Sequence, residues 1–330
     1  NGGTVTPTDA SVTTAKFASG VAIGATGTAN TLAGIPFFSD TTNGSIYTHD
    51  VSGTDDTAAD NTAFGLNALD AITTGDYNVA IGKNALSANN TGHSNVAVGA
   101  DSQLSMTSGN TNTSIGNNAL YSCTVGDRNT AVGANAFYAL EPSSNSDMEN
   151  TAIGFSAGRF NTTGDYNTFL GAQTGYSVTT GSNNTLIGRY AGANYDTENH
   201  NLAIGRNALA GSVAGGEYNI AIGNYSLDAL TSADYCIGVG YNAGTAIQGG
   251  HYNTGIGYNV IGSVVSGEAN TGLGYGALDS ATGSHNIGIG YLAGDNITSG
   301  SKNTCIGSLT DVAAAGNEYS IVIGYDIYGT

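Results

Sequence analysis

The chain has 330 residues, of which 51 are glycine, 3 are proline and only 10% are charged, against about 25% in an average globular protein. Its formal net charge is −18, from 7 Lys and Arg against 25 Asp and Glu. Nucleic-acid binding needs a basic surface, and an anionic membrane would repel this chain, so the composition excludes both partners. No apolar run approaches the roughly 20 residues that span a bilayer, and we expect no membrane insertion. The chain begins at Asn1 without a signal-peptide pattern, and we expect a processed product or a fragment.

The first element in the chain is a segment without strict periodicity, residues 1–60. It contains one degenerate repeat, Gly20–Gly24, and a short apolar patch, Ile35–Phe38. We predict an N-terminal connector or cap here. A repeat domain is predicted over residues 61–330.

The repeat follows the pattern Asn-x-x-aliphatic-Gly, and sixteen copies, some with a substitution, run from Asn61 to the end of the chain. Twelve of the fifteen spacings between its glycines equal 17, and the others are 21, 18 and 16. The spacing of 21 falls at Glu141–Asn145, which is typical of a loop insertion. The glycines are Gly65, Gly82, Gly99, Gly116, Gly133, Gly154, Gly171, Gly188, Gly205, Gly223, Gly240, Gly257, Gly274, Gly290, Gly307 and Gly324.

Each position of the repeat, counted as a column from the Asn, has its own chemistry. Column one is Asn in fourteen of sixteen copies, column two is Thr or aliphatic, column three is mostly Ala or Gly, and column four is always apolar. Columns two and four are two residues apart and therefore share one face of a strand.

Seventeen residues are too few for a helix plus a strand with turns, but they suffice for one coil of two short strands and two turns. We therefore predict an all-β fold, a parallel β-solenoid or β-roll of about sixteen 17-residue coils, in a rod roughly 75 Å long. Stacked coils place like residues in ladders, in which Asn side chains pair from coil to coil. The predicted ladder residues are Asn78, Asn95, Asn112, Asn129, Asn150, Asn167 and Asn184, with Gly82, Gly99, Gly116, Gly133, Gly154, Gly171 and Gly188.

The repeat resembles the head repeats of trimeric autotransporter adhesins, which are also found in phage tail-fibre proteins. The matching strings are Asn78–Gly82, Asn95–Gly99 and Asn150–Gly154, and the likeness covers residues 61–330. It implies a left-handed parallel β-roll, three chains around one axis and a role in attachment. The chain differs from the adhesins in its longer repeat and shows no coiled-coil stalk or membrane anchor.

The strand itself favours oligomerisation, because it is apolar on both faces and such strands are usually buried on both. We expect columns two and four to line the interior of the roll. The small residues of column three would then pack against neighbouring chains in a homotrimer.

Tyrosines stand out in two columns that we expect to face water. The post-glycine column carries Lys83, Arg189 and Arg206 and then a run of tyrosines, and the pre-asparagine column has a similar run. Such rings can be structural, through packing between coils, or they can contact a receptor glycan or protein. The candidate receptor contacts are Tyr218, Tyr235, Tyr252, Tyr241, Tyr258, Tyr275 and Tyr291.

Catalytic and cofactor motifs are not singled out by the sequence. The string Gly288–Ala293 fits a dinucleotide fingerprint only as a by-product of the repeat. The turn histidines His93 and His251 have no metal-ligand spacing, and the three cysteines are too widely spaced for an intrachain disulfide. We therefore expect no enzyme, no metal and no cofactor.

The sequence favours a structural or attachment fibre, extracellular, on a virion or a cell surface, that presents a rigid rod to a host receptor. A self-assembling extracellular filament or matrix protein is the first alternative. An ice-binding solenoid is less favoured, because its Thr column (column two) is expected to be buried. A glycan-degrading tailspike would need a carboxylate pair that the sequence does not single out.

Overall fold

The computed structural model describes residues 30–32, 35–40, 45–48, 57–144, 146–211 and 215–327. In this part of the chain the regular structure is entirely β, and it forms a parallel solenoid of sixteen coils of about 17 residues, which confirms the predicted fold class. The degenerate copy Gly20–Gly24 lies outside the described residues. The left-handed winding and the division at residue 60 stay predictions.

The strands are short, and the strand that follows the column-one residue is three residues long in every coil. They are β1 (Asn30–Leu32), β2 (Ile35–Asp40), β3 (Ser45–Tyr47), β4 (Thr62–Phe64), β5 (Val79–Ile81), β6 (Val96–Val98), β7 (Thr113–Ile115), β8 (Gly126–Asp127), β9 (Thr130–Val132), β10 (Ser146–Asp147), β11 (Thr151–Ile153), β12 (Thr168–Leu170), β13 (Thr185–Ile187), β14 (Leu202–Ile204), β15 (Ile220–Ile222), β16 (Ile237–Val239), β17 (Thr254–Ile256), β18 (Thr271–Leu273), β19 (Ile287–Ile289), β20 (Thr304–Ile306) and β21 (Ile321–Ile323).

The coils stack in register, because each coil strand pairs in parallel with the equivalent residues of the next coil. Thr151 lies opposite Thr168, for example, and Ile153 opposite Leu170. At the N-terminal end the direction of pairing changes, since β1, β2 and β3 pair antiparallel and β3 then pairs in parallel with β4. Through β3, this antiparallel segment supplies the hydrogen-bond partners for the outer edge of β4, the strand of the first coil.

Backbone conformation limits each coil strand at both ends. The residue before the Asn is left-handed in all sixteen coils, as at Tyr77 with φ of 60°, and the column-five glycines all have φ between 124° and 156°. A φ between 124° and 156° is essentially restricted to glycine. A Cβ on Gly82 would lie 2.7 Å from the carbonyl carbon of Gly99, so the same glycines also allow the coils to stack closely.

The interior of the coil is lined by column three, and this contradicts the expected orientation of the strand. Ala80, Ala131 and Ala203 are fully buried, whereas columns two and four point outward. Column nine explains why. Its residue, Leu86 for example, is fully buried, and in coils where column nine is large the strand places only a small side chain inside.

Columns three and nine compensate each other in volume. Where column three is large, at Phe169, column nine is Gly175, and a Cβ there would lie 2.9 Å from the Phe169 ring. Where column three is Gly238, a Cβ would lie 2.9 Å from Leu227 of column nine in the preceding coil. Glycine in one column therefore makes room for a large side chain of the other, within the same coil or in a neighbouring coil.

Asparagines of column one form a buried ladder along the rod. The Asn167 backbone N–H donates to Asn150 Oδ1 at 2.8 Å, and Asn167 Nδ2 donates to the Gly181 carbonyl at 2.7 Å. Asn167 Oδ1 in turn accepts from the Asn184 N–H at 3.0 Å. Asn167 is therefore joined to the preceding coil through its backbone N–H and to the next coil through its side-chain amide.

Candidate functional site

The outward strip is the surface formed by columns two and four of the sixteen coil strands. Its column-four side chains include Phe64 at 49% exposure, Ile115 at 43% and Leu273 at 45%. Neither column carries a single charged residue in any of the sixteen coils. The strip is about 75 Å long and about 7 Å across, or on the order of 500 Å². The area of this uncharged strip matches that of the largest apolar patch on an ordinary monomer, about 300–600 Å², and such patches are often functional.

Two expectations from the sequence are therefore wrong. Column three lies inside each coil, so its small residues are not available for contacts between subunits. The Thr column is not buried either, because Thr62 and Thr168 are exposed and Thr130 and Thr185 are half-buried. Both errors have the same cause. Adjacent residues of a strand point to opposite faces, so when column three lies inside the coil, columns two and four must point outward.

Tyrosines form two ladders, one along each side of the outward strip. The pre-asparagine ladder stacks Tyr218, Tyr235 and Tyr252, with ring centroids 5.2 and 5.5 Å apart and planes within 6°. His200 extends it by one ring, stacked on Tyr218 at 4.8 Å.

The post-glycine ladder stacks Tyr241, Tyr258, Tyr275 and Tyr291, with centroids 5.2 to 5.4 Å apart. Their side chains are 43% to 50% exposed. Because each ring face is covered by the next ring, the ladder presents ring edges and hydroxyl groups to a partner. The structure brings all seven candidate contact tyrosines together in these two ladders.

In the described part of the chain the ionisable side chains come together in pairs, such as His93 with Asp76 and His251 with Asp234, and not in metal-binding clusters. No three His, Cys, Asp or Glu side chains gather there closely enough to hold a metal ion. His93 and His251 instead accept hydrogen bonds through Nδ1 from the backbone N–H of Asp76 and Asp234, at 3.0 and 3.1 Å. Each of these histidines thereby joins its own turn to the equivalent turn of the preceding coil.

The three cysteines are free and buried. Burial raises the pKa of Cys123 to about 12 and the pKa of Cys236 and Cys305 to about 11. At neutral pH these thiols are protonated and therefore weak nucleophiles.

A comparison with models of known protein families found no match, and neither did a comparison with curated protein sequences. Within the described residues, no helix is long and apolar enough to cross a bilayer.

Proposed function

We propose that the chain is a non-enzymatic structural and attachment fibre, a homotrimer on a virion or cell surface that presents a rigid rod to a host receptor. The outward strip is the observation that carries this proposal. A single solenoid leaves the strip in water along the whole row of coil strands, and association with further copies of the chain would cover it.

Charge supports a second copy as the occupant of the strip. The chain has a net charge of −18, yet columns two and four are uncharged throughout, so like charges do not meet when two strips pack together. Every copy offers the same spacing of coils, and the columns of one rod match those of another along its full length.

The strip has two edges, so each copy can contact two neighbours. A contact between unlike edges of successive copies closes into a ring where the rotation between copies allows it. The two tyrosine ladders overlap at the coils of Tyr235 and Tyr252, where the post-glycine column also carries Tyr241 and Tyr258. The likeness to adhesin heads favours three chains.

Sedimentation of the intact chain tests the proposal. We expect a particle of three times the 32.9 kDa of one chain. We expect Ile187→Asp to dissociate it, because the half-buried Ile187 lies on the strip and a charge there would be buried at the contact, which costs several kcal/mol.

Arg189→Asp is the matched control, since Arg189 is exposed two residues further on and the substitution changes the charge by more. A wild-type monomer would contradict the proposal, and so would equal dissociation of both variants. A monomer with thermal hysteresis activity would instead support ice binding, which the outward Thr column favours.

Receptor contact by the post-glycine ladder is tested with a Tyr→Ser variant at positions 241, 258, 275 and 291. We expect an intact oligomer that has lost most of its binding to host cells, because the row of phenol groups is removed while the core columns are unchanged. Undiminished cell binding would leave these tyrosines as stacking elements only.

A further inference from the structure

A shallow groove of about 560 Å³ lies on a different part of the coil surface from the outward strip. It runs along the rod over four successive coils, from Ala139 to Asp196, a distance of about 14 Å. Its lining comes from columns eleven and thirteen, and its volume is within the usual range of about 300–1,000 Å³ for small-ligand sites.

The groove coincides with the strongest departures from the repeat. Column eleven holds small or polar residues such as Ser105, Ser122 and Ser177, but Phe160 stands there with 42% of its surface exposed. The insertion Glu141–Asn145 begins two residues after Ala139. In repeat proteins, insertions into a uniform scaffold are often found on the binding face.

Aromatic side chains continue from Phe160 along the neighbouring column. Tyr176 packs edge-on against Phe160 with centroids 5.0 Å apart, and Tyr138 stacks on Tyr121 at 4.9 Å. The Arg159 guanidinium lies 5.1 Å from the Tyr138 ring centroid and 5.7 Å from that of Phe160. These contacts hold the Phe160 ring in a fixed position at the groove.

Polar groups line the rest of the groove. The exposed Asn194 amide donates to the Ala210 carbonyl at 2.7 Å, which leaves its oxygen free to accept. The exposed carboxylate of Asp196 accepts from the Thr179 hydroxyl and retains lone pairs directed to solvent. Ser177 adds a hydroxyl between Phe160 and Asn194.

We propose that this groove binds a neutral oligosaccharide. A sugar offers an apolar C–H face to the Phe160 ring and hydroxyl groups to the Asn194 amide and the Asp196 carboxylate. None of the seven lining side chains is cationic, and Asp196 together with the net charge of −18 disfavours an acidic glycan.

A peptide fits less well, because the backbone N–H groups that an added strand would need are already used. Those of Thr162 and Thr179 donate to the carbonyls of Thr179 and Asp196, both at 2.7 Å. The proposal rests on the attachment role above, since it names the chemical class of a surface that the fibre would recognise.

The test is binding of the full chain to an array of neutral and acidic oligosaccharides, followed by calorimetric titration of the best neutral one. We expect Phe160→Ser to weaken binding by at least about tenfold. The variant should fold, because serine occupies the same column in other coils. Asp196→Thr, which restores the common residue of column thirteen, is expected to weaken binding as well.

Tyr77→Ser is the matched control, because it removes an exposed aromatic ring outside the groove and outside both tyrosine ladders, at a position where the next coil has Ser94. Binding to acidic glycans only, binding to none, or unchanged affinity of Phe160→Ser would each overturn the proposal. Sedimentation of the same samples reports on the oligomer separately, so a failure of the groove and a failure of the trimer give different results.

Discussion

Replacing Gly116 with alanine is expected to lower the free energy of unfolding by about 3 kcal/mol. Gly116 has φ of +136°, and a Cβ built on it lies 2.6 Å from the carbonyl carbon of Gly133 and 2.7 Å from its oxygen. The clash is with backbone of the next coil, which cannot move without disturbing the stack. Thermal unfolding followed by circular dichroism measures the effect.

Gly249→Ala is the control for the same change in side chain. A Cβ at Gly249 meets only the Ser232 hydroxyl, at 3.4 Å. We expect this variant to unfold at the wild-type temperature or slightly above it, because alanine restricts the unfolded chain. Equal stability of the two variants would show that the close stacking of the coils does not require glycine in column five.

Removing one side-chain amide from the asparagine ladder is expected to lower the free energy of unfolding by about as much as the alanine substitution at Gly116. In Asn167→Ala the Asn184 N–H loses its acceptor and the Gly181 carbonyl loses its donor. Both groups lie in the buried ladder, and the two together are expected to lower the free energy of unfolding by about 3 kcal/mol. Chemical denaturation measures this loss.

The reverse substitution is available at Cys236, one of the two places where column one is not Asn. There the backbone N–H still donates to Asn219 Oδ1 at 2.8 Å, and the thiol takes the place of the side-chain amide by donating to the Gly250 carbonyl at 3.2 Å. Cys236→Asn should restore two amide hydrogen bonds and raise the free energy of unfolding by about 1 kcal/mol. A destabilised Cys236→Asn would show that the ladder amides do not act independently of their neighbours.

The repeat made the solenoid predictable, including its register, because a fixed spacing with one Asn and one Gly per unit allows like residues to stack. The orientation of the strand was not predictable from alternation alone, since Val, Ile and Ala are all apolar and either face can be buried. Two signals pointed to the answer. Lys83 and Arg128 lie on columns of the same parity as columns two and four, and large residues in column three occur with glycine in column nine, as with Phe169 and Gly175.

The candidate site was predictable only in part. The two runs of tyrosine are visible in the sequence, and their stacking follows from the register. The groove at Phe160 was missed, because one aromatic residue in a column of Ala and Ser is noticeable only after the columns are aligned. Its position beside the spacing of 21 residues was the available signal.

The in-register stacking also has a consequence for how the rod forms. The ladder hydrogen bonds described above join residues one coil apart, as in the bond from the Gly82 N–H to the Phe64 carbonyl, and this separation does not grow with the number of coils. Loop-closure entropy therefore opposes the addition of each coil by the same amount. A chain of this kind folds by nucleation and propagation between neighbours, and its folding rate should depend little on its length. We expect the rod to be extendable by whole coils, with each added coil raising the stability by a similar increment.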